Sequence, residues 1–322
     1  MTNGSKFLTQ GSRLKAQGHP EGTRLKAQSS RLSWLSWVVA ARPATLPAAV
    51  VPVVVGTAAA RDLRHLRLLP FLAALIASML IQIGTNYAND VFDFRSSADS
   101  EQRSGPRRLI QSGVASPRQV FTAALLAFGA AAAIGLYLIY VGGWPIFVIG
   151  VLSILAGLAY TGGPWPLGYH GLGDLFVFIF FGVIAVVGSA YLQTGTMSGL
   201  AVVASVPVGL LVTNILVVNN LRDRETDRAA GKNTLAVRLG GRAARWQYTI
   251  SVVAAFLFPL LLRLSGRAGW WFWLPWLTLP LAIRVVRTVA TVDDGSTLNR
   301  ALKRSGQLHL LFGLLFALSL WL

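Results

Sequence analysis

The sequence predicts an all-α polytopic membrane protein, one bundle of nine transmembrane helices. Three observations carry that prediction. Apolar runs close to the ~20 residues that cross a bilayer recur from about Trp34 to the last residue. Only 13% of the 322 residues are charged and 54% are hydrophobic, whereas a soluble domain carries about a quarter charged residues. No run shows the two-residue alternation of a transmembrane barrel strand.

Residues 1–33 are polar and basic, and Arg13-Leu-Lys-Ala-Gln17 returns there as Arg24-Leu-Lys-Ala-Gln28. This composition predicts a disordered basic tail that touches lipid headgroups; an organelle transit peptide is the alternative. Residues 34–322 then form one membrane domain. Its apolar segments run over 34–60, 68–93, 117–140, 144–161, 171–192, 198–220, 243–263, 269–290 and 304–322. Pro47, Pro52, Pro207, Pro275 and Pro280 fall inside them and predict kinks, because proline removes a backbone donor. The abundant Gly and Ala permit close helix contact.

The basic residues sit between these segments. With nine spans, 24 of the 29 Lys and Arg share one side with the tail, and Arg61, Arg64, Arg67, Arg263 and Arg267 lie on the other. That bias places the N-terminus in the cytoplasm and the chain in the inner, cytoplasmic membrane as a multi-pass protein. The net charge of +17 is therefore read as topology and contact with anionic lipid, not as nucleic-acid binding. The absence of cysteine excludes disulfides and thiolate chemistry. The four His form no metal-ligand pair.

Carboxylates are costly near a bilayer, so acids at the ends of apolar spans mark function. Seven of the twelve acids fall in two such places: Asp90, Asp93, Asp99 and Glu101 after the second span, and Asp223, Glu225 and Asp227 after the sixth. Asn86 and Asp90 are four residues apart, as are Asn219, Asp223 and Asp227, so each set forms a ladder on one helical face. Both ladders fall on the cytoplasmic side. Facing one another, they would repel unless cations lay between, and hard oxygen ligands suit Mg²⁺ holding a phosphate substrate. Each ladder leads into a basic loop with a glycine, Arg103-Ser-Gly105-Pro-Arg107-Arg108 and Gly231-Lys232-Asn233-Thr234. Acids for metal with Arg and Lys for oxyanions is a diphosphate's requirement. Gly231-Lys232 has neither the glycine spacing nor the preceding strand of a P-loop.

Several blocks resemble the UbiA superfamily of intramembrane prenyltransferases. They are Ala41-Arg42-Pro43-Ala-Thr45-Leu46-Pro47, Asn86 to Asp93, Gly105-Pro-Arg107-Arg108-Leu109-Ile-Gln111-Ser112-Gly113, Tyr160-Thr-Gly-Gly163-Pro-Trp-Pro-Leu-Gly168, Gly171-Leu-Gly173-Asp174, and Asn219 to Leu235. Within it, the Gly105-to-Gly113 block resembles the enzymes that prenylate 1,4-dihydroxy-2-naphthoate in menaquinone synthesis. The loop between Asp93 and Asp99 departs from the family in lacking a common glycine.

The resemblance implies nine helices around a central cavity open sideways to lipid. It implies transfer of a polyprenyl group from polyprenyl diphosphate to the naphthoate with loss of CO₂, giving demethylmenaquinol. Asp90, Asp93, Asp223 and Asp227, with Asp99 from the loop, are expected to hold about two Mg²⁺. Asn86 and Asn219 orient the metal-bound oxygens, and Arg107, Arg108 and Lys232 neutralise the leaving group. Aromatic faces stabilise an allylic cation; Tyr160 is the foremost, while Phe176 and Phe180 are expected in core or lipid-facing positions. Arg42 grips the naphthoate carboxylate or anchors the first span, and Asp174 is expected to cap its helix, with substrate binding as the alternative. Two other readings stand beside this one. The acceptor is another ring such as 4-hydroxybenzoate or homogentisate, or the chain is a transporter with an ion site at the acids.

Overall fold

The protein's structure is a computed structural model that describes residues 34–60, 66–95 and 109–322. The basic tail and the candidate residues Asp99, Arg107 and Arg108 lie outside the described residues. Among those described, the secondary structure is helical, with no strand. A helical arm, Trp34–Thr45, meets α1 (Pro47–Ala59) at 48°. Then follow α2 (Leu68–Arg95), α3 (Pro117–Gly142), α4 (Trp144–Ala159), α5 (Gly173–Thr194) and α6 (Gly199–Arg222). A short α7 (Arg224–Ala229) leads into α8 (Leu235–Leu264), a 3-10 stretch at Trp270–Thr278, α9 (Leu279–Thr291) and α10 (Gly295–Trp321).

Local chemistry sets the starts. Ser116 and Gln119 form a reciprocal capping box at α3, with Pro117 in the first turn where its missing N–H costs nothing. Ser198 caps α6, Thr234 caps α8 and Asp294 caps α10. Gly143, at φ 69°, ends α3 and turns directly into α4. The prolines divide. Pro47 stands at the bend after the arm, as expected, whereas Pro280 begins α9 instead of kinking it. The break in α8 comes from Gly240, at φ 85°.

Among the described residues five helices, α2, α3, α5, α6 and α8, are long and apolar enough to cross a bilayer, and the bent arm with α1, taken as one span, makes a sixth. The other predicted spans are helical but differ in character. α4 is apolar with only 16 residues; α9 is continued by the 3-10 stretch; and α10 carries Arg300, Lys303 and Arg304 in its first half.

α6 is the axis of the bundle, with 72% of its most apolar window buried, against 22–39% for the other four long spans. Small residues let neighbours approach it. α5 contains a π-helical turn at Phe178–Ile184, a rare form often found beside functional sites. That turn lays Gly182 on Gly209 of α6, where a Cβ on Gly182 would lie 2.6 Å from the Gly209 Cα. Gly182→Ala is therefore expected to push α5 off α6 and cost about 1–3 kcal/mol, read as a lower Tm in detergent. On the other side, Gly56 packs on the Val186 carbonyl and Gly313 on Val51, wedging α1 between α5 and α10.

Candidate active site

The arm places the first charged group. Arg42 has left-handed backbone angles, φ 54° and ψ 66°, a conformation that costs an L-residue roughly 1–2 kcal/mol. No other non-glycine among the described residues has positive φ. The surrounding hydrogen bonds hold it there. Thr45 donates its N–H and its hydroxyl to the Arg42 carbonyl, at 2.8 and 2.9 Å. The same hydroxyl oxygen accepts from Gln82 at 3.2 Å and Asn86 at 3.3 Å, and Asn86 also donates to the Ala41 carbonyl at 2.9 Å. The turn thus aims the Arg42 guanidinium at Asp90, which it meets at 2.9 Å. Arg42 was expected to clamp a substrate or anchor the span; here it is in an ion pair with the first ladder.

That ladder lies on the last turns of α2, with Asn86, Asn89, Asp90 and Asp93 all buried. Thr161 donates to Asn89 at 2.5 Å, and the Tyr169 hydroxyl donates to Asp93 at 3.1 Å. Tyr160 sits against two glycines. A Cβ on Gly168 would lie 3.0 Å from the Tyr160 carbonyl oxygen, and one on Gly173 would lie 2.9 Å from its hydroxyl.

The second ladder is not one continuous stripe. α6 ends at Arg222, Asp223 takes non-helical angles, and α7 restarts at Arg224. Arg222 grips both oxygens of Asp223, at 2.7 and 2.6 Å, and donates to Asn219 at 2.9 Å and to Asn299 of α10 at 3.1 Å. Asp227 lies 3.9 Å from the Lys232 ammonium, which stands 5.2 Å from the centre of the Tyr169 ring. Tyr169 also accepts the Asn233 N–H on its carbonyl at 3.0 Å. One tyrosine therefore ties the loop before α5 to both ladders. Glu225 is the outlier. It pairs with Arg224 and Arg228 at the surface, and the Arg224 hydrogen bond, foremost, holds its carboxyl below the usual range.

Asp174 does not cap α5. The N-cap position is Leu172, without a side-chain bond. Asp174 is instead buried and accepts from Gln247 at 2.6 Å and Asn220 at 3.4 Å.

A cavity of about 140 Å³ lies between the ladders, and its wall includes Arg42, Asn89, Asp93, Asn219, Asn220 and Lys232. Tyr160 separates it from an apolar cavity of about 110 Å³ that Phe176 and Phe180 line. These rings stack at 5.5 Å and line that cavity. A third cavity, about 280 Å³, adjoins at Phe180 and runs between α2, α3 and α4 to the exposed Leu136, Phe147 and Val151. Asp90, Asp223 and Asp227 stand behind the wall of the polar cavity, not on its surface.

Among the described residues no three His, Asp or Glu side chains converge as a ready-made metal centre. The donor set nevertheless fits a hard dication. Four buried carboxylates are available, and each is held by a donor of the chain: Arg42, Tyr169, Arg222 and Lys232. A carboxylate has about four lone-pair sites, and Mg²⁺ typically takes only one or two carboxylates, with water and phosphate oxygens completing its shell.

Sequence reasoning missed Tyr169, Thr161, Arg222 and Gln247. Tyr169 directly follows one of the resemblance blocks, and Thr161 and Arg222 lie inside two of them, where no role was assigned to either.

Known proteins resemble this chain in sequence and in fold. The model of the UbiA prenyltransferase family matches residues 49–320. The 1,4-dihydroxy-2-naphthoate octaprenyltransferase of Mycobacterium tuberculosis is 38% identical over 285 residues, 88% of this chain and 96% of that protein. The protein of the same name from Escherichia coli is 37% identical over 89% of this chain and 95% of that one. In fold, the chain is similar to a UbiA homolog from Aeropyrum pernix (TM-score 0.63, 16% identity, 84% of this chain and 94% of that one). A UbiA homolog from Archaeoglobus fulgidus bound to DMAPP and Mg²⁺ is also similar (TM-score 0.59, 13% identity, 89% and 99%).

Proposed function

This chain belongs to the UbiA prenyltransferase family, and from that membership we propose that it transfers a polyprenyl group from polyprenyl diphosphate to 1,4-dihydroxy-2-naphthoate. The naphthoate loses its carboxylate as CO₂ and the product is demethylmenaquinol. Relatives named for that acceptor cover most of the chain. One observation carries the reading: a polar cavity between the two acid-bearing ladders, with Asp93, Arg42 and Lys232 on its wall, continues past Tyr160 into apolar cavities. That sequence of surfaces matches a substrate with a diphosphate head and a hydrocarbon tail.

The head binds in the polar cavity. Lys232 and Arg42 face its oxygens, while Asn219 donates to them. Asp90, Asp93, Asp223 and Asp227, with Asp99, would hold Mg²⁺, and Arg107 and Arg108 would neutralise the leaving diphosphate. Bound there, Mg²⁺ supplies positive charge that stabilises the diphosphate as it leaves. The tail lies along α2 toward α3 and α4 and reaches the lipid beside Leu136. Breaking the C–O bond leaves an allylic cation next to Tyr160, Phe176 and Phe180, whose ring faces stabilise it and whose bulk excludes water. The ring carbon of the naphthoate then forms the new C–C bond.

In this reading residues 34–322 form one transmembrane prenyltransferase domain. Nine segments span the membrane, the shorter α4 and the α9 and α10 regions included. The cavity mouth faces the cytoplasm, where the basic loops gather.

Purified protein given Mg²⁺, a polyprenyl diphosphate and 1,4-dihydroxy-2-naphthoate is expected to release diphosphate and form a prenylated naphthol, and chelation is expected to stop it. Turnover with 4-hydroxybenzoate in place of the naphthoate would move the acceptor assignment. Ion flux through vesicles without any turnover would end the enzyme reading.

A further inference from the structure

Asn219 and Asn220 are neighbours on the cavity wall, and their amides are turned opposite ways. Arg222 donates to the Asn219 Oδ1 at 2.9 Å, and a guanidinium only donates. Asn219 therefore has its Nδ2 left to donate. Asn220 is the reverse case. Its Nδ2 donates to the Asp174 Oδ1 at 3.4 Å, and a carboxylate only accepts, so Asn220 offers the cavity its Oδ1. Asp174 is itself held from behind. It is 6% exposed, and its Oδ2 accepts from Gln247 Nε2 at 2.6 Å. The string Gln247–Asp174–Asn220 crosses from α8 through α5 to α6, and α6 packs against both of the other helices.

We propose that Asp174 is a positioning residue that locks the Asn220 amide with its carbonyl toward the aromatic acceptor, where it accepts a hydrogen bond from a ring hydroxyl. The identity of the acceptor rests on the transfer reading above; the lock itself rests on the three side chains. The neighbouring amides then sort the two substrates. Asn220 attracts the hydroxyl donor of the acceptor and repels an anion, while Asn219, with Arg42 and Lys232, faces the diphosphate.

Asp174→Asn tests the lock, because a new amide at 174 can turn either its oxygen or its nitrogen toward Asn220. The expected result is an acceptor KM raised about tenfold, the worth of one hydrogen bond, with the KM for polyprenyl diphosphate within about twofold of wild type. Asp174→Asn combined with Gln247→Glu is the rescue. A carboxylate at 247 only accepts, so it draws the amide nitrogen at 174 and leaves the amide oxygen for Asn220. A bare need for negative charge at 174 would not be met by that swap. Should the swap fail to fold, Asn220→Ala replaces it: in that background Asp174→Asn is expected to change acceptor KM no further.

Equilibrium binding of 1,4-dihydroxy-2-naphthoate, read by tryptophan fluorescence, provides a measurement independent of turnover. Unchanged acceptor KM and Kd in Asp174→Asn, or equal rises in both KM values, overturns the lock. A wild-type protein that binds the naphthoate but transfers nothing sinks the transfer reading alone, and the binding shift still decides the lock. A wild-type protein that binds no naphthoate overturns both.

Discussion

Asp93→Asn is expected to lower kcat by about 10²–10³-fold and to leave the protein folded. The size follows from removing one preorganised electrostatic group from a site where charge develops. Asp93 is the one carboxylate of the four on the wall of the polar cavity, so its charge faces the diphosphate most directly. The isosteric amide keeps an oxygen for the Tyr169 hydroxyl, which donates to Asp93 at 3.1 Å. The loop that Tyr169 ties to Lys232 and Asn233 therefore stays in place, and Tm should move little. Product formation at saturating Mg²⁺, with Tm measured on the same sample, checks both halves. Activity within threefold of wild type would remove Asp93 from the proposed metal set.

Arg222→Met is expected to be the most destabilising single change at the site, by about 3–5 kcal/mol. The Arg222 side chain is 4% exposed and its partner Asp223 is 2% exposed. Removing the guanidinium deprives the buried carboxylate of two short bonds and also cuts the links to Asn219 and Asn299. Thermal unfolding in detergent without Mg²⁺ should show a large fall in Tm. Adding Asp223→Asn should recover much of it, because the buried charge has gone, yet should not restore transfer. Mg²⁺ should raise the Tm of Arg222→Met more than that of wild type, since a cation bound to Asp223 stabilises the folded state by linkage. An unchanged Tm in Arg222→Met would show that this pair does not hold the junction of α6, α7 and α10.

The two readings of Asn219 show how far local pattern carries. Its four-residue spacing from Asp223 put it at the end of the right helix beside the right acid, and the structure places it on the cavity wall. The resemblance also implied that it orients metal-bound oxygens, without saying which of its amide atoms would do so. The structure turns the Asn219 Oδ1 onto Arg222, because a donor with a fixed fork lies three residues on. Arg42 is similar. Its motif marked a site, but only the folded arm, held by Thr45, Gln82 and Asn86, explains why the guanidinium meets Asp90.

By itself the sequence determined the all-helical class, the long apolar spans and the two acid-bearing span ends. These are matters of composition, helical period and short-range spacing, which neighbouring residues set among themselves. The tertiary structure alone decided that Tyr169 joins the two ladders, that Asp174 faces Gln247 and Asn220 instead of capping its helix, and that Phe176 and Phe180 border a hollow. Those contacts join residues 46 to 76 positions apart or depend on which face a helix turns inward, and only the packing of the whole bundle sets that.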